Sequence, residues 1–242
     1  RRRRARERIT SLMVTPYDWQ EAIGHRAQYI ESRLAAGTPV LAASIDDGIL
    51  LLTYRREARK LFEIYDRLAL GAIGQQSDIE SVRVAAIEFA HREGYARSEQ
   101  DVTLQRAVTA ISGPMKKAFA DFNSAPVVAM ALFAEVGARP EEDHYAVLEY
   151  DGDYNNCRRA AVLAATPEQK ERLQNLMAGF GPENMPAEEA LLVLEGIWRD
   201  GFDPDGAADG EDRIHGLTKE AALLMRRPTG SSAFRMLTEV DV

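Results

Sequence analysis

Histidine and cysteine are the side chains that most often serve catalysis and metal binding, and this chain has few of them. The four histidines lie far apart, without the spacing of a metal site: His25, His91, His144 and His215. The one cysteine, Cys157, has no partner for an internal disulfide or a zinc site. There is also no phosphate-binding glycine loop, nucleophile-elbow pentapeptide or paired-histidine zinc motif. We therefore expect a protein without a metal or other cofactor.

The composition excludes several classes of protein. The chain has 242 residues, enough for a sizeable core, and its 45% hydrophobic and 28% charged residues are ordinary for a globular protein. A formal net charge of -8 argues against a general nucleic-acid binder, because such a domain should be basic. No apolar run reaches membrane-spanning length. We expect a cytoplasmic protein with neither nucleic acid nor a membrane as its partner.

A basic run opens the sequence, with arginine at six of the first eight positions. Such a block of like charges favours a flexible, solvated tail, and an arm that binds nucleic acid or membrane is the alternative. The following segment, 9–13, is too short and too polar for a signal peptide. Met13 is a candidate for the translation start. We assign residues 1–16 to a flexible tail and residues 17–242 to a single domain.

An amphipathic helix is predicted ahead of all the strands. Asp18 fits an N-cap, with Glu21 three positions later as its capping-box partner. Apolar residues then recur with a period of 3.6 as far as Leu34, and Gly37 ends the pattern.

Beyond Gly37 the chain alternates between groups of short apolar runs and pairs of helical stretches. The predicted order is four strands, two helices, three strands, two helices and two strands. Groups of strands separated by pairs of helices predict an α+β fold, with two stacked sheets and helices outside each face.

The stretch from Gly37 to Asp78 resembles the proteasome subunit family. Three features carry this resemblance: the hairpin turn at Asp47-Gly48, a lysine (Lys60) that opens the next strand, and a G-x-x-x-D segment that begins at Gly74. Further stretches resemble bacterial α-type subunits in particular: 88–95, 101–103, 217–224 and 233–237. The resemblance implies the four-layer αββα sandwich of N-terminal-nucleophile hydrolases.

The resemblance leaves an α-type and a catalytic β-type subunit to be distinguished. In β-type subunits self-cleavage after a glycine exposes a threonine, whose hydroxyl is the nucleophile and whose free amine is the base. Thr38, after Gly37, and Lys60 stand at the matching positions, so a self-processing threonine peptidase is the alternative function. Against it, Tyr54 replaces the supporting acid, and 164–166 (Ala-Ala-Thr) replaces a small glycine/serine cluster. The predicted helix before Gly37 also does not look like a disposable propeptide.

We therefore interpret the chain as a non-catalytic α-type subunit. The resemblance implies an outer homo-heptameric ring that stacks on a ring of β-type subunits, gates the access of protein substrates and docks an ATPase activator ring. A ring scaffold without its peptidase partner is a third possibility.

Three residues are implied to act in these roles. Lys60 matches the activator-binding lysine, whose compact ammonium suits a terminal carboxylate; an exposed lysine at a strand edge is the alternative. Tyr17 and Asp18 resemble the gating pair of α-rings. Their alternative roles are simpler: Asp18 as a helix cap, and Tyr17 packed on the helix.

Overall fold

The computed structural model describes residues 16–181, 185–204, 206, 213–227 and 232–237. Within these residues the chain forms five α-helices: α1 (Pro16–Leu34), α2 (Gln76–Ala96), α3 (Leu104–Ala120), α4 (Pro167–Met177) and α5 (Ala187–Phe202). The ten strands are β1 (Val40–Ile45), β2 (Gly48–Arg55), β3 (Leu61–Tyr65), β4 (Leu68–Gly74), β5 (Ala129–Glu135), β6 (His144–Leu148), β7 (Tyr154–Cys157), β8 (Ala160–Leu163), β9 (Thr218–Met225) and β10 (Phe234–Leu237).

The strands form two five-stranded sheets in which all neighbours are antiparallel. The first sheet has the order β10-β9-β2-β1-β8 and the second has the order β3-β4-β5-β6-β7. One apolar layer, with Leu51 and Leu132 among its buried residues, lies between the sheets. A second layer lies under α2 and α3, and a third lies under α4 and α5. The α+β, four-layer αββα prediction is thereby confirmed.

Both faces of the central strands are buried, which explains their continuous apolar sequence. All six residues of β1 are buried, and their side chains alternate between the layer shared by the sheets and the layer under α4 and α5. A strand with one solvated face would show alternating polar residues instead. The strands β2 and β5, in the middle of their sheets, are buried on both faces in the same way.

The start of α1 differs from the prediction. The helix begins at Pro16, so Asp18 lies inside its first turn and is not the N-cap. Proline is favoured at the first helical position because it has no N–H to leave unpaired, and an acidic side chain in the first turn is stabilised by the helix dipole. Of the predicted tail, residues 1–15 lie outside the described residues.

One strand was missed. The structure has four strands between α3 and α4, and the extra one is β7, whose sequence is Tyr-Asn-Asn-Cys. Among the strands that the structure describes, β7 pairs with β6 alone, at the edge of the second sheet. An edge strand with two largely solvated central residues has no apolar pattern that could reveal it.

Candidate functional site around Thr38 and Lys60

Thr38 and Lys60 meet between the two sheets. Thr38 lies two residues before β1 of the first sheet, and Lys60 directly precedes β3 of the second. Each residue is only 9% exposed. The alternative of an exposed strand-edge lysine is therefore wrong, since the side chain of Lys60 points inwards.

The ammonium of Lys60 has three oxygen partners. Its Nζ lies 2.6 Å from Thr38 Oγ1 and 3.1 Å from Thr53 Oγ1, and it also donates to the carbonyl oxygen of Thr38. The hydroxyl of Thr38 in turn donates to the carbonyl oxygen of Tyr54. Three N–H groups thus meet three acceptors, so the side chain is satisfied within the chain itself.

Burial shifts the proton equilibrium of this lysine. Removal from water lowers the pKa of Lys60 from 10.5 to about 7, and the negative charge of Glu220 reverses only part of that effect. Neutral oxygen acceptors solvate an ammonium less well than water does. Near neutral pH the amine is consequently divided between its charged and neutral forms.

Glu220, on β9, organises the entrance to the site. Its carboxylate is 3% exposed and accepts the backbone N–H groups of Lys60 at 3.0 Å and of Leu61 at 3.2 Å. Two guanidinium groups approach the same carboxylate, Arg55 at 3.5 Å and Arg59 at 3.7 Å. With Lys60 protonated, three cations share one carboxylate, and the local charge is positive.

The position matched to the supporting acid of catalytic subunits is filled by an aromatic side chain. The ring of Tyr54 lies against Trp198 of α5, with centroids 4.3 Å apart, and contributes no carboxylate. The carbonyl oxygen of Pro39 accepts two hydrogen bonds, one from Trp198 Nε1 at 2.9 Å and one from the hydroxyl of Thr53 at 2.7 Å. These contacts fix the backbone on either side of Thr38.

Five residues, 35–39, connect helix α1 to β1. While this connection is intact, the amide nitrogen of Thr38 takes part in the peptide bond to Gly37. A side chain at Gly37 would lie 2.3 Å from Ile73 Cγ2 and 2.9 Å from the carbonyl of Leu34, and only glycine fits there. The end of α1 is anchored through Ile30 and Leu34, which are 0% and 1% exposed in the layer between the sheets. The structure therefore holds the helix tightly just before Thr38.

The segment 164–166 is also engaged in the fold. Ala164 is buried under α4 and α5. Thr166 is the N-cap of α4, and its hydroxyl accepts the backbone N–H of Gln169 at 3.3 Å. The one hydroxyl of this segment is thereby used to start a helix.

Tyr17 and Asp18 lie far from this site. Both are exposed in the first turn of α1, about 26 Å along the helix from Leu34 at 1.5 Å per residue. Tyr17 is 82% exposed, so its predicted packing on the helix is wrong. The two residues are not brought together with Lys60 and Thr38.

In the part of the chain that the structure describes, no three acidic, histidine or cysteine side chains are grouped to hold a metal ion. None of the described helices has the length and apolar character needed to cross a membrane.

Several curated proteins that are similar to this chain carry the same name. A "Proteasome subunit alpha" of Jonesia denitrificans is 31% identical over 225 residues, which cover 92% of each chain. This chain belongs to the proteasome α-subunit family. Proteins of the same name from Xylanimonas cellulosilytica and Streptomyces griseus are 28% and 26% identical over 90% and 94% of this chain. No family model matches it.

Membership of the proteasome α-subunit family confirms the resemblance that the sequence suggested, and identifies the chain as a subunit in proteolysis. Several residues of the site were not predicted. Thr53 contacts the ammonium of Lys60, Trp198 donates to the neighbouring carbonyl of Pro39, and Glu220 accepts the backbone N–H of Lys60. Glu220 follows Thr218 and Lys219 at the polar start of β9, so its burial has no local sequence signal.

Proposed function

We propose that this proteasome α-type subunit is non-catalytic. In the cytoplasm it forms an outer homo-heptameric ring, stacked on a ring of β-type subunits that hydrolyse the substrate. The observation that carries the proposal is the anchored helix α1. With Ile30 and Leu34 fully buried, release of α1 would expose two large apolar side chains, each worth about 1.5–3 kcal/mol of burial. While α1 stays attached, Thr38 has no free amine to act as a base.

One observation favours the peptidase alternative. The hydroxyl of Thr38 lies 2.6 Å from Lys60 Nζ, and the pKa of Lys60 is lowered by burial to about 7, as a nucleophile and its base would require. The attachment of α1, which would leave Thr38 without a free amine, and the aromatic side chain of Tyr54 oppose this reading. We therefore regard the pair as non-catalytic: it joins the two sheets and leaves the ammonium of Lys60 as a charge for the role proposed below.

Replacement of the Thr38 hydroxyl tests this assignment. Thr38→Val removes the hydroxyl and keeps the shape, so a particle assembled with the β-type partner should hydrolyse peptides at the wild-type rate. Loss of a true nucleophile lowers kcat by on the order of 10⁶-fold. Thr53→Val is a matched control, since it removes a neighbouring hydroxyl bonded to the same lysine. Mass spectrometry should find the chain intact across Gly37–Thr38; a chain that begins at Thr38, or activity lost only in Thr38→Val, contradicts the proposal.

We further propose that the ATPase activator docks on this subunit through its C-terminal carboxylate. The basic cluster of Arg55, Arg59 and Lys60 would bind that carboxylate. The three cations of the cluster surround one carboxylate, that of Glu220, and the side chain of Arg59 is 53% exposed at the rim. A carboxylate that reached Lys60 would supply the negative charge that its burial lacks.

Lys60→Met tests the docking site because it removes the charge and largely keeps the volume. Truncation of one partner in a desolvated interfacial charge pair costs about 2–5 kcal/mol, which is an affinity loss of about 30-fold or more. Activator-stimulated hydrolysis should be lost, while unstimulated peptide hydrolysis remains. Arg56→Met, an exposed charge removed from the same loop, should behave as wild type. Unchanged activator affinity in Lys60→Met rules Lys60 out of the docking site.

For the gate, we propose that the residues before α1, together with Tyr17 and Asp18, obstruct the axial opening of the ring. Tyr17 projects from the first turn with 82% of its surface exposed, which makes it available to a neighbouring subunit. Deletion of residues 1–15 should therefore speed the hydrolysis of peptides by assembled particles when no activator is present. Equal rates in truncated and full-length particles contradict the gate.

A further inference from the structure

A cavity of about 380 Å³ lies at the edge of the sandwich, beside the connection between β7 of the second sheet and β8 of the first. We call it the β7–β8 cavity. Its volume is within the range of pockets that bury small molecules, about 300–1,000 Å³. It shares no residue with the site around Thr38 and Lys60. Part of its wall is apolar and almost fully buried, and is formed by Ile45, Ala161, Val162 and Met177.

Arg159 borders this cavity with a backbone conformation that is unusual for its residue type. Its φ is 66°, and among the described residues every other positive φ belongs to a glycine. The carbonyl oxygen of Arg159 accepts the backbone N–H of Ser44 at 2.8 Å, which fixes this conformation against β1. Glycine would adopt it without strain, whereas a residue with a Cβ does so at a cost. An arginine at this position therefore points to a use for its side chain.

Two arginines of the β7–β8 connection line the cavity, and they differ in how their guanidinium groups are engaged. Arg158 donates to the carbonyl oxygen of Glu141 at 3.4 Å and contacts His144 Nε2 at 3.1 Å. The guanidinium of Arg159 has no hydrogen-bond or ion-pair partner among the described residues. Arg159 therefore brings to the cavity a set of N–H donors that is free to bind a ligand.

Two acidic side chains line the same cavity from other segments. Asp46 follows β1, and Glu141, which also interacts with Arg139, lies between β5 and β6. The backbone at Asp46 is held in place, since its carbonyl oxygen accepts Arg226 Nε at 3.2 Å. None of the ion pairs found among the described residues joins Arg159 to either carboxylate. Charges of opposite sign thus border one apolar space without pairing with each other.

We propose that the β7–β8 cavity binds a small zwitterion with an apolar body, namely a dipeptide or amino acid with free termini and a large apolar side chain. The guanidinium of Arg159 binds the carboxylate, whose planar shape it matches, and Asp46 binds the ammonium. The apolar wall covers the side chain. A ligand with only a negative charge would meet the carboxylates of Asp46 and Glu141, and one with only a positive charge would meet Arg159.

The chemistry of this ligand is that of a product of peptide hydrolysis. Complete hydrolysis of a protein yields dipeptides and amino acids, each of which carries a free ammonium and a free carboxylate. The chain is a subunit in proteolysis, so the β7–β8 cavity is placed to take up a late product of that process. The inference depends neither on the ring nor on the docking or gating proposals, because every lining residue belongs to one chain.

Cys157 provides a measurement of binding, because it is the one cysteine of the chain and lines the cavity. The dipeptide leucylphenylalanine should slow the alkylation of Cys157 by iodoacetamide in the full-length protein, and the protection should saturate. N-acetyl-leucylphenylalanine lacks the ammonium and leucylphenylalanine amide lacks the carboxylate, so each should bind at least about tenfold more weakly. Glycylglycine keeps both charges without an apolar side chain and should not protect. No protection by leucylphenylalanine, or equal protection by the capped peptides, overturns the inference.

Substitutions assign the two charges, with affinities measured by titration calorimetry. Arg159→Gly should weaken leucylphenylalanine at least about tenfold and leave its amide unaffected, while Tm stays equal or rises because the strain is relieved. Asp46→Asn should weaken leucylphenylalanine and leave the N-acetyl form unaffected. Arg56→Gly, the same exchange at an exposed arginine outside the cavity, should bind as wild type. A lower Tm with unchanged affinity in Arg159→Gly means that the arginine is structural, and equal affinities in all three variants and wild type likewise contradict the site.

Discussion

Arg226→Met is expected to lower the free energy of unfolding by about 3–5 kcal/mol, the usual result of breaking a buried ion pair on one side. Arg226 and Asp143 form a bidentate pair at 2.7 and 2.9 Å, and their side chains are 6% and 0% exposed. The guanidinium also donates to the carbonyls of Ile45 and Gly137, each at 2.9 Å. The guanidinium therefore connects the β1–β2 turn of the first sheet to the β5–β6 connection of the second. Methionine at this position would leave the carboxylate of Asp143 buried without its cation.

Urea unfolding at matched protein concentration measures this effect, with a fall in Tm of about 6–20 °C as the thermal counterpart. Equal concentrations matter because assembly stabilises the folded chain by mass action. Arg227→Met is the natural control: the neighbouring arginine is exposed, and its loss should change the free energy by less than about 0.5 kcal/mol. A loss below about 1 kcal/mol in Arg226→Met means that the pair is solvated or replaceable.

The fold was predictable from the sequence wherever burial and local pattern agree. The apolar runs of β1, β2 and β5 predicted buried strands because both faces of each strand are covered. The polar edge strand β7 was not predictable, since its hydrogen bonds to β6 depend on a partner brought near by the rest of the sheet. The start of α1 was misplaced because both Pro16 and Asp18 favour a helix start, and local rules do not choose between them.

The candidate site was predicted in part. The resemblance selected Thr38 and Lys60, and in the structure Lys60 Nζ lies 2.6 Å from Thr38 Oγ1. Burial of Lys60 was not foreseen, because a lysine at a strand start is usually solvated and its three acceptors come from separate segments. The pairing of Arg226 with Asp143, 83 residues apart, and the contact of Trp19 with Phe122 are likewise long-range contacts without a local sequence signal.

Protonation of Lys60 should make the stability of the domain depend on pH. The ordinary pKa of a lysine is 10.5, and burial lowers the pKa of Lys60 in the folded protein to about 7 because it disfavours the charged form. Below pH 7 both states carry the proton, and the burial of a cation opposes folding in full. Between pH 7 and 10.5 the folded state has released a proton that the unfolded state still holds. The unfolded state then binds more protons, so the free energy of unfolding rises with pH.

Because one proton is involved, the free energy of unfolding can change by at most about 1.4 kcal/mol per pH unit. The difference in free energy of unfolding between wild type and Lys60→Met isolates it, because all other groups titrate in both proteins. That difference should shift in favour of wild type by about 2–3 kcal/mol between pH 7.5 and 9.5. Lys117→Met, the loss of an exposed lysine on α3, should give a difference that is constant over the same range. A constant difference for Lys60→Met as well means that the ammonium stays charged throughout. The same titration predicts that a carboxylate docked on Lys60 binds more weakly as the pH rises above 7, because the neutral amine offers it no charge.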